Sequence, residues 1–111
     1  MKIKISNLSL TQLDWAVAKC EGLNIQSPDK LTDDEYYSTN WAQGGPIIER
    51  EEIGIKRNAP CFRGREWEAS PSITAKGAGG HYGYGPTPLI AAMRCYVSSK
   101  LGEKVEIPDD L

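Results

Sequence analysis

Histidine is almost absent from this sequence: His81 is the only one among 111 residues, and phenylalanine is equally scarce. The three cysteines, Cys20, Cys61 and Cys95, are widely spaced and form no Cys-x-x-Cys pair. Together these shortages leave nothing from which to assemble a zinc site of ordinary spacing, so no metal and no cofactor are expected. No apolar run approaches the roughly 18 residues that a membrane span needs. The opening Met-Lys-Ile-Lys-Ile-Ser is too polar and alternating for a signal peptide. A membrane partner is therefore not expected, and the expected compartment is the cytoplasm, where the thiols stay reduced. A basic surplus is missing too. Thirteen Lys and Arg stand against fifteen Asp and Glu, a formal charge of −2, whereas a duplex-binding module needs excess cations to release counterions from phosphates.

What is present fits one domain spanning residues 1–111. An apolar share of 40% with 25% charged residues places the chain among globular proteins and away from disordered ones. Residues 2 to 6 alternate charged and apolar, the pattern of a half-buried strand. A helix is predicted from Thr11 as cap, with Asp14 as its reciprocal partner and Leu10 stapled onto Trp15. Leu13, Ala16, Val17 and Cys20 form its core stripe, and Gly22 is its stop. From Leu23 to Gly45 the chain is polar and aperiodic. Its aromatics Tyr36, Tyr37 and Trp41 either fold back over the core or present a binding surface.

Strands are predicted around 47–50 and 53–57, with a turn at 58–60, a strand over 62–69 centred on Trp67, and a short one at 73–76. Gly77 to Gly85 reads Gly-Ala-Gly-Gly-His-Tyr-Gly-Tyr-Gly, which means either flexibility or backbone close to something. A second helix opens with Thr87 as cap and Pro88 at its first position. Its buried stripe is Leu89, Ile90, Met93, Tyr96, Val97 and Leu101, and Gly102 stops it. Val105 and Ile107 add an edge strand or simply pack. The expected fold is α+β: two helices packed on one face of a small, mostly antiparallel sheet, with long glycine-rich loops.

Chemistry could live in three places. A glycine loop running into a helix start is an arrangement that cradles phosphates. The spacing at 73–90 matches no nucleotide loop, however, because Lys76 precedes the loop and Tyr82 falls where a third glycine belongs. His81 titrates near neutrality inside that loop, but catalysis needs a second group. Glu49, Glu66, Cys61 and Ser70 are candidates that no spacing singles out, so no catalytic residue is assigned. The aromatics say more. Trp41, Trp67, Tyr82 and Tyr84 lie outside the helix stripes, and with Arg50, Arg57, Arg63 and Arg65 they could form a pocket for a planar anion. Trp15 and Trp67 are expected mostly in the core, with Trp41, Tyr82 and Tyr84 more exposed. The competing account has several of these rings in the core and the charges as a solvated face of mixed ion pairs.

Three stretches carry a resemblance: Leu13-Asp-Trp-Ala-Val-Ala-Lys-Cys-Glu-Gly22, Trp41-Ala-Gln-Gly-Gly-Pro-Ile-Ile-Glu-Arg50 and Gly85-Pro-Thr-Pro-Leu-Ile-Ala-Ala-Met-Arg-Cys-Tyr-Val97. With the closing Ser99 to Pro108, the chain resembles the NinX-like proteins of lambdoid phages and prophages over nearly its whole length. The resemblance implies a phage gene expressed in a bacterial cytoplasm, and it supplies no catalytic residues. The block at 40–50 joins an aromatic, an amide, two glycines and a charge pair, a set suited to a ligand approaching the backbone. If the loop at 77–87 lies against it, the two make one pocket. The expected ligand-binding set is therefore Trp41, Gln43, Gly44, Gly45, Glu49, Arg50, His81, Tyr82, Tyr84 and Thr87. The expected function is non-catalytic binding of a small planar anionic, nucleotide-like ligand, for host takeover or to sequester a host signal. The alternative is an adaptor that binds and blocks a host protein, supported by the loop aromatics and the acidic run at 33–35. Self-association stays open.

Overall fold

The structure, a computed structural model, describes residues 1–59, 63–71 and 82–108. The fold is α+β, with three α-helices and two small antiparallel sheets among the described residues. In the first sheet β1 (Lys2–Lys4) pairs with β5 (Lys104–Glu106), setting Ile3 opposite Val105. The second is ordered β2 (Gly54–Arg57), β3 (Trp67–Ser70), β4 (Gly83–Gly85). The helices are α1 (Leu10–Cys20), α2 (Trp41–Glu51) and α3 (Pro88–Leu101).

Helix α3 is the centre of the fold. Every residue from Leu89 to Ser98 is buried except Arg94, and the helix packs against the three-stranded sheet, α1 and α2. Its ends follow the sequence: the Ile90 amide donates to Thr87 Oγ1 at 3.1 Å, Pro88 sits at the first helical position, and Gly102 closes the helix at φ +88°.

Helix α1 begins earlier than its sequence suggests. Ser9, not Thr11, is the cap, in a reciprocal box with Gln12. Leu10 is therefore the first helical residue and partly exposed, while Trp15 is buried, its indole N–H donating to the Ile25 carbonyl at 2.8 Å.

The main correction concerns residues 41–51. Where a loop and a strand at 47–50 were expected, the chain forms α2, so there are three helices rather than two. Two glycines and a proline argue locally against a helix. Tertiary contacts override them. Asn40 Oδ1 caps the Ala42 amide at 2.9 Å, Ile47 is buried in the core, and Glu52 ends the helix in the left-handed conformation at φ +54°. Gly44 lies so close to its neighbours that a Cβ there would sit 2.3 Å from the Tyr37 carbonyl oxygen and 2.6 Å from Leu89 Cδ1. The aromatic loop before α2 splits between its two alternatives: Tyr37 is buried, whereas Tyr36 and Trp41 are 47% and 52% exposed.

Strands β2 and β3 fall close to their predicted places, joined antiparallel with Arg57 opposite Trp67. Trp67 is half-buried with the Arg57 guanidinium 5.3 Å over its ring. The predicted strand at 73–76 lies outside the described residues. Strand β4 arises from the end of the glycine run. A Cβ at Gly83 would lie 2.2 Å from the Ala91 carbonyl oxygen and 2.4 Å from the Cys95 amide nitrogen. Its glycines thus let a strand lie directly on α3, and the side-chain alternation of a strand turns Tyr84 to the opposite face.

Candidate functional site

The expected ligand-binding residues divide into two groups. Of those on α2, Gln43, Gly44 and Arg50 are engaged in holding the fold, whereas Trp41 and Glu49 are exposed. Gln43 joins α2 to the preceding turn, its Nε2 donating to the Asp33 carbonyl at 2.7 Å while its Oε1 accepts from the Tyr36 amide. Gly44 is the contact point with Tyr37 and Leu89, and Gly45 has only the Trp41 ring nearby, at 3.8 Å. Glu49 is solvent-exposed. Thr87 caps α3. Arg50 pairs with Glu21 through both terminal nitrogens, at 3.1 and 2.6 Å, and its Nε donates to Glu51 at 2.9 Å. Tyr96 Oη also donates to Glu21, and Lys100 lies 3.5 Å from Glu51. This network ties the end of α1 to α2 and α3. The Arg50 hydrogen bond is the largest influence holding Glu21 below the usual carboxylate range; partial burial opposes it, and the Tyr96 hydroxyl reinforces it.

Tyr82 and Tyr84 belong elsewhere. They line a cleft of about 570 Å³ together with Lys4, Ile5, Arg63, Arg65, Arg94, Ser98 and Glu103, among others, and no residue of α2 contributes to it. The single pocket expected from residues 41–50 and 77–87 is therefore not formed by the described residues. His81 lies outside them.

The cleft is built by three local devices. Asn58 closes the β2–β3 connection, its amide donating to the Glu66 carbonyl at 2.7 Å and its side-chain nitrogen to the Arg65 carbonyl at 2.9 Å. Gly64 turns the chain at φ +76°, a conformation that favours glycine, and so presents Arg63 and Arg65. The Arg65 guanidinium then lies 4.0 Å from the centre of the Tyr84 ring, within cation–π range. From the floor, Arg94 reaches up off α3 and donates from Nη1 to the Tyr84 carbonyl at 2.7 Å.

Electrostatically the cleft opposes the rest of the molecule. Lys4, Arg63, Arg65 and Arg94 stand against Glu103 alone, four cations to one carboxylate, or 4 − 1 = +3, in a chain of net charge −2. Among the described residues none of these four cations is in an ion pair. Arg94 Nε is buried without a hydrogen-bond partner among the described residues. Burial lowers the proton affinity of this guanidinium, which nevertheless stays charged.

Arg63 and Arg65 were among the arginines weighed from the sequence; Lys4 and Arg94 were missed. Arg94 did carry a signal. It is the one charge inside Leu89-Ile-Ala-Ala-Met-Arg-Cys-Tyr-Val97, an otherwise buried run, and a charge inside a buried run asks for a partner.

These features define a small α+β protein with a cation-rich, tyrosine-lined cleft and, among the described residues, no cluster of metal-ligating side chains. No helix among them is long and apolar enough to cross a membrane. Residues 4–100 match the family model described as bacteriophage P22 NinX, and the chain belongs to that family. A comparison with curated proteins finds no match. The membership marks the chain as a phage accessory protein.

Proposed function

We propose that this phage protein is a non-catalytic binder of a small planar anionic ligand of the nucleotide type, and that it acts by sequestering a host signal. The observation that carries this reading is the concentration of four cations, none in an ion pair among the described residues, around Tyr82 and Tyr84 in one cleft. An anion entering it gains several charge-assisted hydrogen bonds at once, and the 52% exposed Tyr82 offers a face for a planar ring. The volume is that of a small-molecule site. Thermal unfolding against mono-, di- and cyclic nucleotides and related planar acids tests the reading. A ligand at about a hundred times its Kd adds roughly 2.7 kcal/mol, a rise of about 10 °C or more for a domain near this size. Tyr82→Ala or Arg65→Ala should remove the shift and Trp41→Ala should keep it. A panel without any shift would sink the reading.

A second reading, as an adaptor for a host protein, is favoured by a different observation. Tyr36, which follows the turn holding the acidic Asp33 and Asp34, and Trp41, the first residue of α2, are both exposed. Such a surface suits a partner with a basic, aromatic-accepting face. Loss of a stoichiometric host partner on Trp41→Ala, with the nucleotide panel flat, would favour it.

A further inference from the structure

We propose that Arg65 and Arg94, both mounted on Tyr84, form a clamp for a polyvalent phosphate, so that the ligand carries two or more phosphate charges rather than a single carboxylate. This rests on the proposed ligand-binding reading and specifies the anion. The two guanidinium groups are fixed on opposite features of one residue. Arg65 stacks on the ring face at 4.0 Å and Arg94 holds the carbonyl oxygen at 2.7 Å.

Stacking engages the face of the Arg65 guanidinium and leaves its edge donors free for oxygen. Arg94 uses Nη1 on the carbonyl and also lines the cleft. An anionic oxygen there would gain a charge-assisted bond from the guanidinium. With Arg63 and Lys4 at the rim, the surplus of three positive charges exceeds what one carboxylate can neutralise. A diphosphate-type group matches both the charge and the number of forked donors. Both arginines are already held in place by Tyr84, so less conformational freedom is lost on binding.

The probe is inorganic pyrophosphate, titrated calorimetrically into the full chain beside acetate, inorganic phosphate and a planar monocarboxylate. The clamp predicts that pyrophosphate binds at least about tenfold more tightly than either monovalent acid. Arg65→Lys and Arg94→Lys keep the charge but lose the fork, and each should weaken pyrophosphate by about tenfold or more. Arg65 is exposed, so that variant tests the clamp even if Arg94→Lys fails to fold. Equal affinity for pyrophosphate and acetate, or wild-type pyrophosphate affinity in Arg65→Lys, overturns the clamp. If the planar monocarboxylate binds well while pyrophosphate does not, the inference fails and the ligand-binding reading stands. If neither these probes nor the nucleotide panel bind, both fall.

Discussion

Gly44 and Gly45 are neighbours in sequence and in one helix, yet alanine at the two positions should have different consequences. At Gly44 the new methyl would overlap the Tyr37 carbonyl oxygen, 2.3 Å away, and Leu89 Cδ1, 2.6 Å away. The first is backbone and cannot rotate aside, so the overlap costs about 3 kcal/mol, the upper end of ordinary overpacking. Alanine returns about 1 kcal/mol through helix propensity. The net is a loss of about 2 kcal/mol, or a Tm lower by roughly 10 °C at 4–8 °C per kcal/mol. At Gly45 the nearest atom is the Trp41 ring at 3.8 Å, ordinary contact. There the propensity gain survives, trimmed because Pro46 restricts the residue before it, so Gly45→Ala should match or slightly exceed the wild-type Tm. Calorimetric unfolding of the two variants decides the matter. Equal melting temperatures, or a more stable Gly44→Ala, would refute the close-approach explanation of this helix.

Gly83→Ala should destabilise at least as strongly, since both overlapped atoms are α3 backbone; a wild-type denaturant midpoint would contradict it. Glu21 is held below the ordinary carboxylate range, first by Arg50. Its contribution is therefore present above the unfolded-state pKa and lost as pH falls through the folded one. A Tm profile between pH 7 and 3 should be flatter in Glu21→Gln than in wild type. Asp14 has the opposite sign: burial raises its pKa, and the Ser38 amide at 2.8 Å opposes this only in part. Asp14→Asn should thus be at least as stable as wild type at pH 7, with the difference shrinking as pH falls through the Asp14 pKa. Arg50→Ala should lower stability by about 1 kcal/mol, the value of a well-formed but half-exposed ion pair, without changing pyrophosphate affinity.

How much the sequence revealed depended on whether a segment's local preference agreed with its surroundings. Thr87, Pro88 and Gly102 fixed α3 because cap chemistry is local. The Ile3 strand was legible from alternation and the Trp67 strand was expected near its place, whereas for Val105 an edge strand was one of two alternatives. Helix α2 was not, because Gly44-Gly-Pro46 opposes a helix and the contacts that override it come from Tyr37 and Leu89. The same long-range cause divides the expected site residues between α2, the start of α3 and the cleft. An aromatic, amide and glycine block looked like a ligand surface, yet its amide bridges a turn, its arginine binds Glu21, and its first glycine makes room for a carbonyl. Tyr82 and Tyr84 were both expected to be exposed; Tyr82 is, whereas Tyr84 is half-buried. Their cationic neighbours come from three separated segments, and no spacing in the chain brings Lys4 and Arg94 together.

The most direct test of the account is an amide chemical-shift titration of the isotopically labelled protein with inorganic pyrophosphate and then with the strongest nucleotide of the panel. The account predicts saturable shifts centred on Gly64, Arg65, Tyr82 to Tyr84 and Arg94, with Trp41 to Gly45 unmoved. Shifts centred on Trp41 to Gly45 with the cleft silent would contradict it.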